Sequence, residues 1–184
     1  MSTRILTAEA SSPEQLAHIV FCTNDCRRMS DWYCEVLKGH TTFDNGGGAF
    51  ITFDQEHHRI AVVQPREFPK RPVEQTVGFY HAAFSYGTLE ALLNNYLRLR
   101  QIDIIPYRMM HHGLSISFYY YDPDNNIIEL YVDGVPEDKA ATTAWLSRPE
   151  FISNPIGSHL DPDAFISDYL AGKPLTELLD YPSP

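Results

Sequence analysis

One order of elements, strand, helix, strand, strand, strand, occurs twice along this sequence, and that repetition limits the fold more than any other feature. Gln15 to Thr23 reads as a strand. Asn24 or Asp25 can cap a helix running to about Leu37, with Met29, Trp32, Tyr33, Val36 and Leu37 on one face and Gly39 as its end. Short strands follow near His40 to Phe43, Ala49 to Phe53 and His58 to Val63, the first two separated by the turn Asn45 to Gly48. A linker rich in Pro, Lys and Arg runs from Gln64 to Gln75, and then the order begins again. Val77 to Tyr86 is a strand, Thr88 caps a helix with Leu89, Leu92, Leu93, Tyr96 and Leu97 inward, and strands follow near Asp103 to Met109, Leu114 to Tyr121 and Asn126 to Val132. The predicted class is therefore α+β, with two tandem βαβββ modules at about 15–64 and 77–134. Each module alone leaves a sheet face exposed, so the two are expected to pack as one domain over residues 1–134.

Past Gly134 the composition turns polar, and residues 135–184 read as a C-terminal tail. Asp161-Pro162-Asp163 starts a short helix with Phe165, Ile166, Tyr169 and Leu170 on one face and Gly172 as the stop. Such a helix packs back on its own domain, over a pocket mouth, or at the seam of a homodimer.

The whole-chain balance narrows the function. Of the 184 residues 43% are hydrophobic and 21% charged, as in an ordinary globular protein, and no apolar tract is long enough to span a membrane. A formal net charge of −10 offers no basic patch to phosphate backbones or anionic lipid, so a small molecule is the expected partner rather than nucleic acid. Cys22, Cys26 and Cys34 form no CxxC pair, and the odd count argues against a disulfide framework. The first residues lack an apolar core followed by a cleavage site, so a cytoplasmic location is expected.

Chemistry concentrates in a few residues. Glu129 lies between Ile128 and Leu130, and a carboxylate in an apolar strand needs a partner, because an unpaired buried charge would neutralise instead. His18 and His81 occupy equivalent positions on the first strand of each module. For any one of these three alone, a core side chain satisfied by a hydrogen bond is the favoured reading; together they suit a facial triad of two histidines and one carboxylate, the ligand set of non-haem Fe(II) oxygenases. Aligning the turn at Phe53-Asp54 with that at Tyr121-Asp122 puts Ala61 where the second module has Glu129, so a fourth protein ligand is absent. His58 and His112 can face the same cavity as a general acid or base, while their neighbours His57 and His111 point away if the chain there is extended. Within Tyr119-Tyr120-Tyr121, alternation sends Tyr119 and Tyr121 to one face and Tyr120 to the other.

These residues give the sequence a resemblance to the vicinal oxygen chelate superfamily, and within it to type I extradiol ring-cleaving dioxygenases. The family signature reads here as His112, GLSIS, Phe118-Tyr119, two tyrosines, Asp122-Pro123, Asp124, Asn125, NII and Glu129. Asn125 replaces the usual glycine, which asparagine can do because it also tolerates positive φ. Met110 departs from the signature's preference for a small or β-branched residue. EHHRIAVVQP resembles the family stretch carrying His58, VGFYHAAF the strand carrying His81, and NPIGSHLDPD in the tail is similar to a branch of single-domain relatives. The resemblance implies the glyoxalase/dioxygenase-like fold and Fe(II), with Mn(II) as the alternative, on His18, His81 and Glu129. It also implies that His112 and Tyr119 contact a catecholate oxygen and that His58 lies on the dioxygen side. Either His112 or His58 would then give up a proton as the O–O bond breaks. The competing readings on the same fold are a glyoxalase-like isomerase or lyase and a metal-free protein that sequesters an aromatic ligand.

Overall fold

The computed structural model describes residues 12–69, 71–72, 77–113, 115–134 and 139–180. It divides into two compact units, Met1–Phe68 and Pro69–Pro184. The first carries β1 (Ile19–Cys22), α1 (Cys26–Leu37), β2 (His40–Asp44), β3 (Gly48–Thr52) and β4 (Ile60–Val63); the second carries β5 (His81–Ser85), α2 (Leu89–Arg100), β6 (Arg108–His111), β7 (Ser115–Tyr121) and β8 (Ile127–Asp133). Sheet order is β1-β4-β3-β2 in one and β5-β8-β7-β6 in the other, and in both the first and last strands run parallel while the rest are antiparallel. The repeat predicted from sequence is thus a repeat of topology, and the α+β class holds.

Each sheet buries one face beneath its helix. In the first unit Met29, Tyr33 and Val36 of α1 meet Ile51, Ile60 and Val62, all fully buried, and Phe21 stacks on Tyr33 at 5.3 Å. In the second, Leu92, Tyr96 and Leu99 cover Ile116, Phe118, Tyr120, Ile128 and Leu130, with Tyr96 edge-on to Phe118 at 5.1 Å. Because strand side chains alternate, the residues between these face the opposite way, and His81, Tyr119 and Glu129 lie on that opposite face.

Several boundaries differ from the sequence reading, each for a local reason. The expected strand from Gln15 begins only at Ile19, since the Arg59 guanidinium takes the Leu16 and Ala17 carbonyls at 3.3 and 3.1 Å in place of a ladder partner. His18 therefore stands immediately before β1. The strand expected from Asp103 starts at Arg108, because Asp103 (φ 59) and Ile104 still bond back to the end of α2 and Pro106 offers no donor. Leu97 is 38% exposed, and Leu99 fills the inward position instead. α1 ends on Lys38, which adopts the left-handed conformation (φ 55). Gly39 serves a different purpose, for a Cβ there would stand 2.5 Å from the Thr52 carbonyl oxygen. Leu114 and part of the Gln64–Gln75 linker lie outside the described residues.

The tail holds more structure than the one predicted helix. α3 (Lys139–Leu146), α4 (Pro149–Ser153), β9 (Ser158–His159), α5 (Pro162–Leu170) and α6 (Leu175–Leu178) follow β8. α5 starts as expected, with Asp161 accepting from the Asp163 and Ala164 amides, and Gly172 (φ 81) follows its end. β9 was not foreseen; it pairs antiparallel with β6 and becomes the edge of the second sheet. No helix among the described residues is long and apolar enough to cross a membrane.

Candidate active site

Strand register places the key side chains of the second unit in one row. Ala83, Glu129, Tyr119 and Arg108 are successive cross-strand partners on β5, β8, β7 and β6. Glu129 is buried, and it has the partners its setting demands: His81 Nε2 lies 3.0 Å from Oε2, and the Tyr119 hydroxyl donates to Oε1 at 2.9 Å. His81 sits on β5 two residues before Ala83 and so shares its face. Its Nδ1 is buried without a hydrogen-bond partner among the described residues.

His112, just past the end of β6, joins the same chain of contacts. Its Nε2 is 2.9 Å from the Tyr119 hydroxyl oxygen and its Nδ1 is 2.6 Å from the Ile156 carbonyl. A carbonyl can only accept, so Nδ1 carries the proton and the neutral ring turns a lone pair on Nε2 toward Tyr119. The single phenolic proton of Tyr119 can then serve Glu129 on one side or His112 on the other. Burial, then the neighbouring Glu129 charge and the bond to it, raise the Tyr119 phenol well above its ordinary range, so it keeps that proton near neutral pH. Burial lowers the His112 imidazole, opposed in part by its bond to Ile156. Arg108, which the sequence reading passed over, stands 5.5 Å over the Tyr119 ring. Tyr121 shares the face of Tyr119 and stacks on Tyr107 at 4.1 Å, while Tyr120 is buried under α2, as alternation predicts.

The first unit repeats the plan with different side chains. Val20 pairs with Ala61 as Ala83 pairs with Glu129, and His18 precedes Val20 by the same two residues that separate His81 from Ala83. Ala61 is therefore the structural counterpart of Glu129. His18 is exposed and its ring lies 4.4 Å from that of His58, which is buried and stacks on Phe50 at 4.4 Å. Burial, followed by the nearby His57 and His18, lowers the His58 imidazole. His57 lies in a bend rather than a strand, so it does not turn away; its Nδ1 meets that of His58.

His111, by contrast, does point away from His112. Its Nε2–H donates to the Leu178 carbonyl at 3.0 Å, and its Nδ1 accepts from the Gly113 amide at 3.0 Å, a pair of bonds that only the neutral ring can make. Burial accordingly lowers its pKa below the ordinary value of about 6.5, although the Leu178 bond and Asp180 oppose this and His112 adds to it. A group held neutral in this way gives stability that is present above its unfolded pKa and lost as pH falls below about 6.5 through the folded value. The urea midpoint is expected to drop between pH 7.5 and pH 5, and His111→Gln, which can make both bonds without titrating, should lose less. An equal drop in both proteins would remove His111 as the cause.

The donors of the second unit fit a divalent metal. Two atoms bound to one ion at about 2.1 Å and at right angles stand about 3.0 Å apart, which is the separation of His81 Nε2 and Glu129 Oε2. One imidazole and one carboxylate are also the donor types of first-row oxygenase sites. Within this unit no third His, Cys, Asp or Glu among the described residues completes a set of three.

The chain has relatives among known proteins. The chain is 37% identical over 166 residues to biphenyl-2,3-diol 1,2-dioxygenase 2 of Rhodococcus globerulus, covering 89% of this chain and 86% of the relative. To biphenyl-2,3-diol 1,2-dioxygenase 3 of the same organism it is 39% identical over 168 residues, with the same coverage. In fold it is similar to a crystal structure of a glyoxalase/dioxygenase from Nostoc punctiforme (TM-score 0.56, 17% identity, 72% of this chain and 100% of that one). It is also similar in fold to a lactoylglutathione lyase from Agrobacterium tumefaciens (TM-score 0.53, 17% identity, 66% and 96%). Residues 15–130 match the family described as Glyoxalase/Bleomycin resistance protein/Dioxygenase superfamily, and with these relatives the match shows that the chain belongs to that superfamily.

Proposed function

We infer that the protein is an extradiol dioxygenase that opens a catecholic ring beside its two hydroxyls and places both atoms of dioxygen in the product. The observation that carries this is the 37–39% identity to biphenyl-2,3-diol dioxygenases over 89% of the chain, joined to the chain of contacts from His81 through Glu129 and Tyr119 to His112. In this reading the protein acts in the cytoplasm, and its metal is Fe(II), with His81 and Glu129 among the ligands. Bound there, the ion supplies Lewis-acid activation of the catechol hydroxyls and an electron path between ring and dioxygen.

The chain's own residues do the rest. The neutral His112 ring offers Nε2 as the base for a catechol proton and can return it as the ring opens. Tyr119 keeps its proton and donates a hydrogen bond, so it orients an oxygen rather than acting as a base. The exposed rings of Tyr80, Tyr107 and Tyr121 offer stacking surface to an aromatic substrate. Ala61 at the counterpart of Glu129 weighs against a glyoxalase-like lyase, which would want a fourth protein ligand at that position.

Dioxygen uptake by protein loaded anaerobically with Fe(II), over a panel of 3- and 4-substituted catechols that includes biphenyl-2,3-diol, tests the inference. Uptake matched one-to-one by a yellow product, and lost when Mn(II) replaces Fe(II), is the expected result. Stoichiometric Fe(II) binding without uptake would point to an oxygen-independent reaction, and no metal binding to a protein that sequesters an aromatic ligand.

A further inference from the structure

The tail returns to the second sheet at one point of very close approach. α4 ends at Ser153, and the turn Asn154 to Gly157 leads into β9, which pairs Met110 with His159 and His111 with Ser158. The turn is tied to itself: the Gly157 amide donates to the Asn154 carbonyl at 3.1 Å and to its Oδ1 at 3.2 Å, and Asn154 Nδ2 donates to the Gly157 carbonyl at 3.0 Å. Gly157 has φ +80, a region that disfavours a side chain. Contact forbids one as well, since a Cβ would stand 2.1 Å from the His111 carbonyl oxygen and 2.6 Å from His112 Cα. These are backbone atoms, which have no rotamer to yield.

That approach delivers the Ile156 carbonyl to His112 Nδ1. The Ile156 side chain is 62% exposed, so its packing does not hold the carbonyl in place; the turn and the β9 pairing do. We propose that the Asn154–Gly157 turn is a positioning element of the active site: the Ile156 carbonyl fixes the His112 ring with Nδ1–H toward the tail and Nε2 toward Tyr119, and glycine at 157 is what permits it. The proposal rests on the reading of His112 as the proton carrier in ring cleavage. Ile156 and Gly157 touch no reacting atom and act through His112.

The test uses the full chain labelled with 15N-histidine, metal-free at pH 8, with the tautomer of each ring read by two-bond 1H–15N correlation. His112→Asn identifies the His112 signals. The wild-type ring is expected to be the Nδ1–H tautomer with its exchangeable proton visible, and Gly157→Ala to lose that proton signal and mix tautomers. Loaded with Fe(II), Gly157→Ala should bind the metal as tightly as wild type while kcat for a catechol falls about 100-fold, the cost of a misplacement of roughly 1 Å. Asn154→Ala introduces no clash and should show the same changes in weaker form. The His111 signals, set by Leu178, report whether the tail is still docked. An Nε2–H tautomer in wild type, or an unchanged His112 signal in both variants with the tail docked, would overturn the proposal. Absence of dioxygen uptake in wild type would instead sink the dioxygenase reading, while the ring signals still decide the orientation of His112.

Discussion

His112→Ala is expected to lower kcat for catechol cleavage by about 100- to 10,000-fold, the usual worth of a positioned general acid or base, while Fe(II) stoichiometry stays at the wild-type level. The separation follows from the connectivity. His112 reaches Glu129 only through the Tyr119 hydroxyl, and the contacts of Glu129 with His81 and with Tyr119 survive its removal. What disappears is an imidazole whose Nε2 lone pair faces the Tyr119 hydroxyl. Tyr119→Phe is a useful companion, because it leaves His112 bound to Ile156 and removes the hydroxyl that His112 and Glu129 share. Single-turnover kinetics on anaerobic enzyme–catechol complexes, mixed with dioxygen, would separate proton transfer from binding. Unimpaired turnover in His112→Ala would take away its role.

Glu129→Gln should weaken divalent-metal binding by more than about 100-fold, since even groups that only orient a ligand are worth about 10- to 100-fold. Dioxygen uptake at ordinary Fe(II) concentrations would then vanish. Gln keeps the length of the side chain and an oxygen to accept from Tyr119, so the fold itself has little reason to suffer. It removes the negative charge and one anionic donor from a buried position between His81 and Tyr119. Calorimetric titration of metal into both proteins decides the matter, and near-equal affinities would show that Glu129 is not a ligand.

The module repeat was legible in the sequence because hydrophobic period, caps and turn residues agreed at each step. Asp25 and Thr88 cap their helices as predicted, and Asn125 takes the positive φ (64) that its replacement of glycine required. Glu129 was legible for a different reason: a carboxylate inside an apolar strand must have a partner, and Tyr119 and His81 supply it. Less of the periphery could be read. Strand ends depend on which distant group takes a carbonyl, as Arg59 does for Leu16 and Ala17, and no local pattern encodes that. β9 is two residues long and carries no period at all. Arg108 was missed because its partner is the Tyr119 ring across the sheet, and a lone arginine in a sequence gives no hint of the ring it will cover. The glycine of NPIGSHLDPD gave some signal, but its meaning lies in contact with His111 and His112, more than forty residues away.

The two sheets also end differently, and that bears on the solubility of the chain. β2, the edge of the first, breaks its register between Thr41 and Phe43, an irregularity that makes it a poor template for another strand. β6 has no such break, and the two residues of β9 occupy its outer hydrogen-bonding groups instead. Without Ser158 and His159, Met110 and His111 would present open backbone groups beside an apolar sheet, the arrangement that invites edge-to-edge pairing between molecules. The short strand that leads away from the His112 clamp therefore also shields the β6 edge of the second sheet at Met110 and His111.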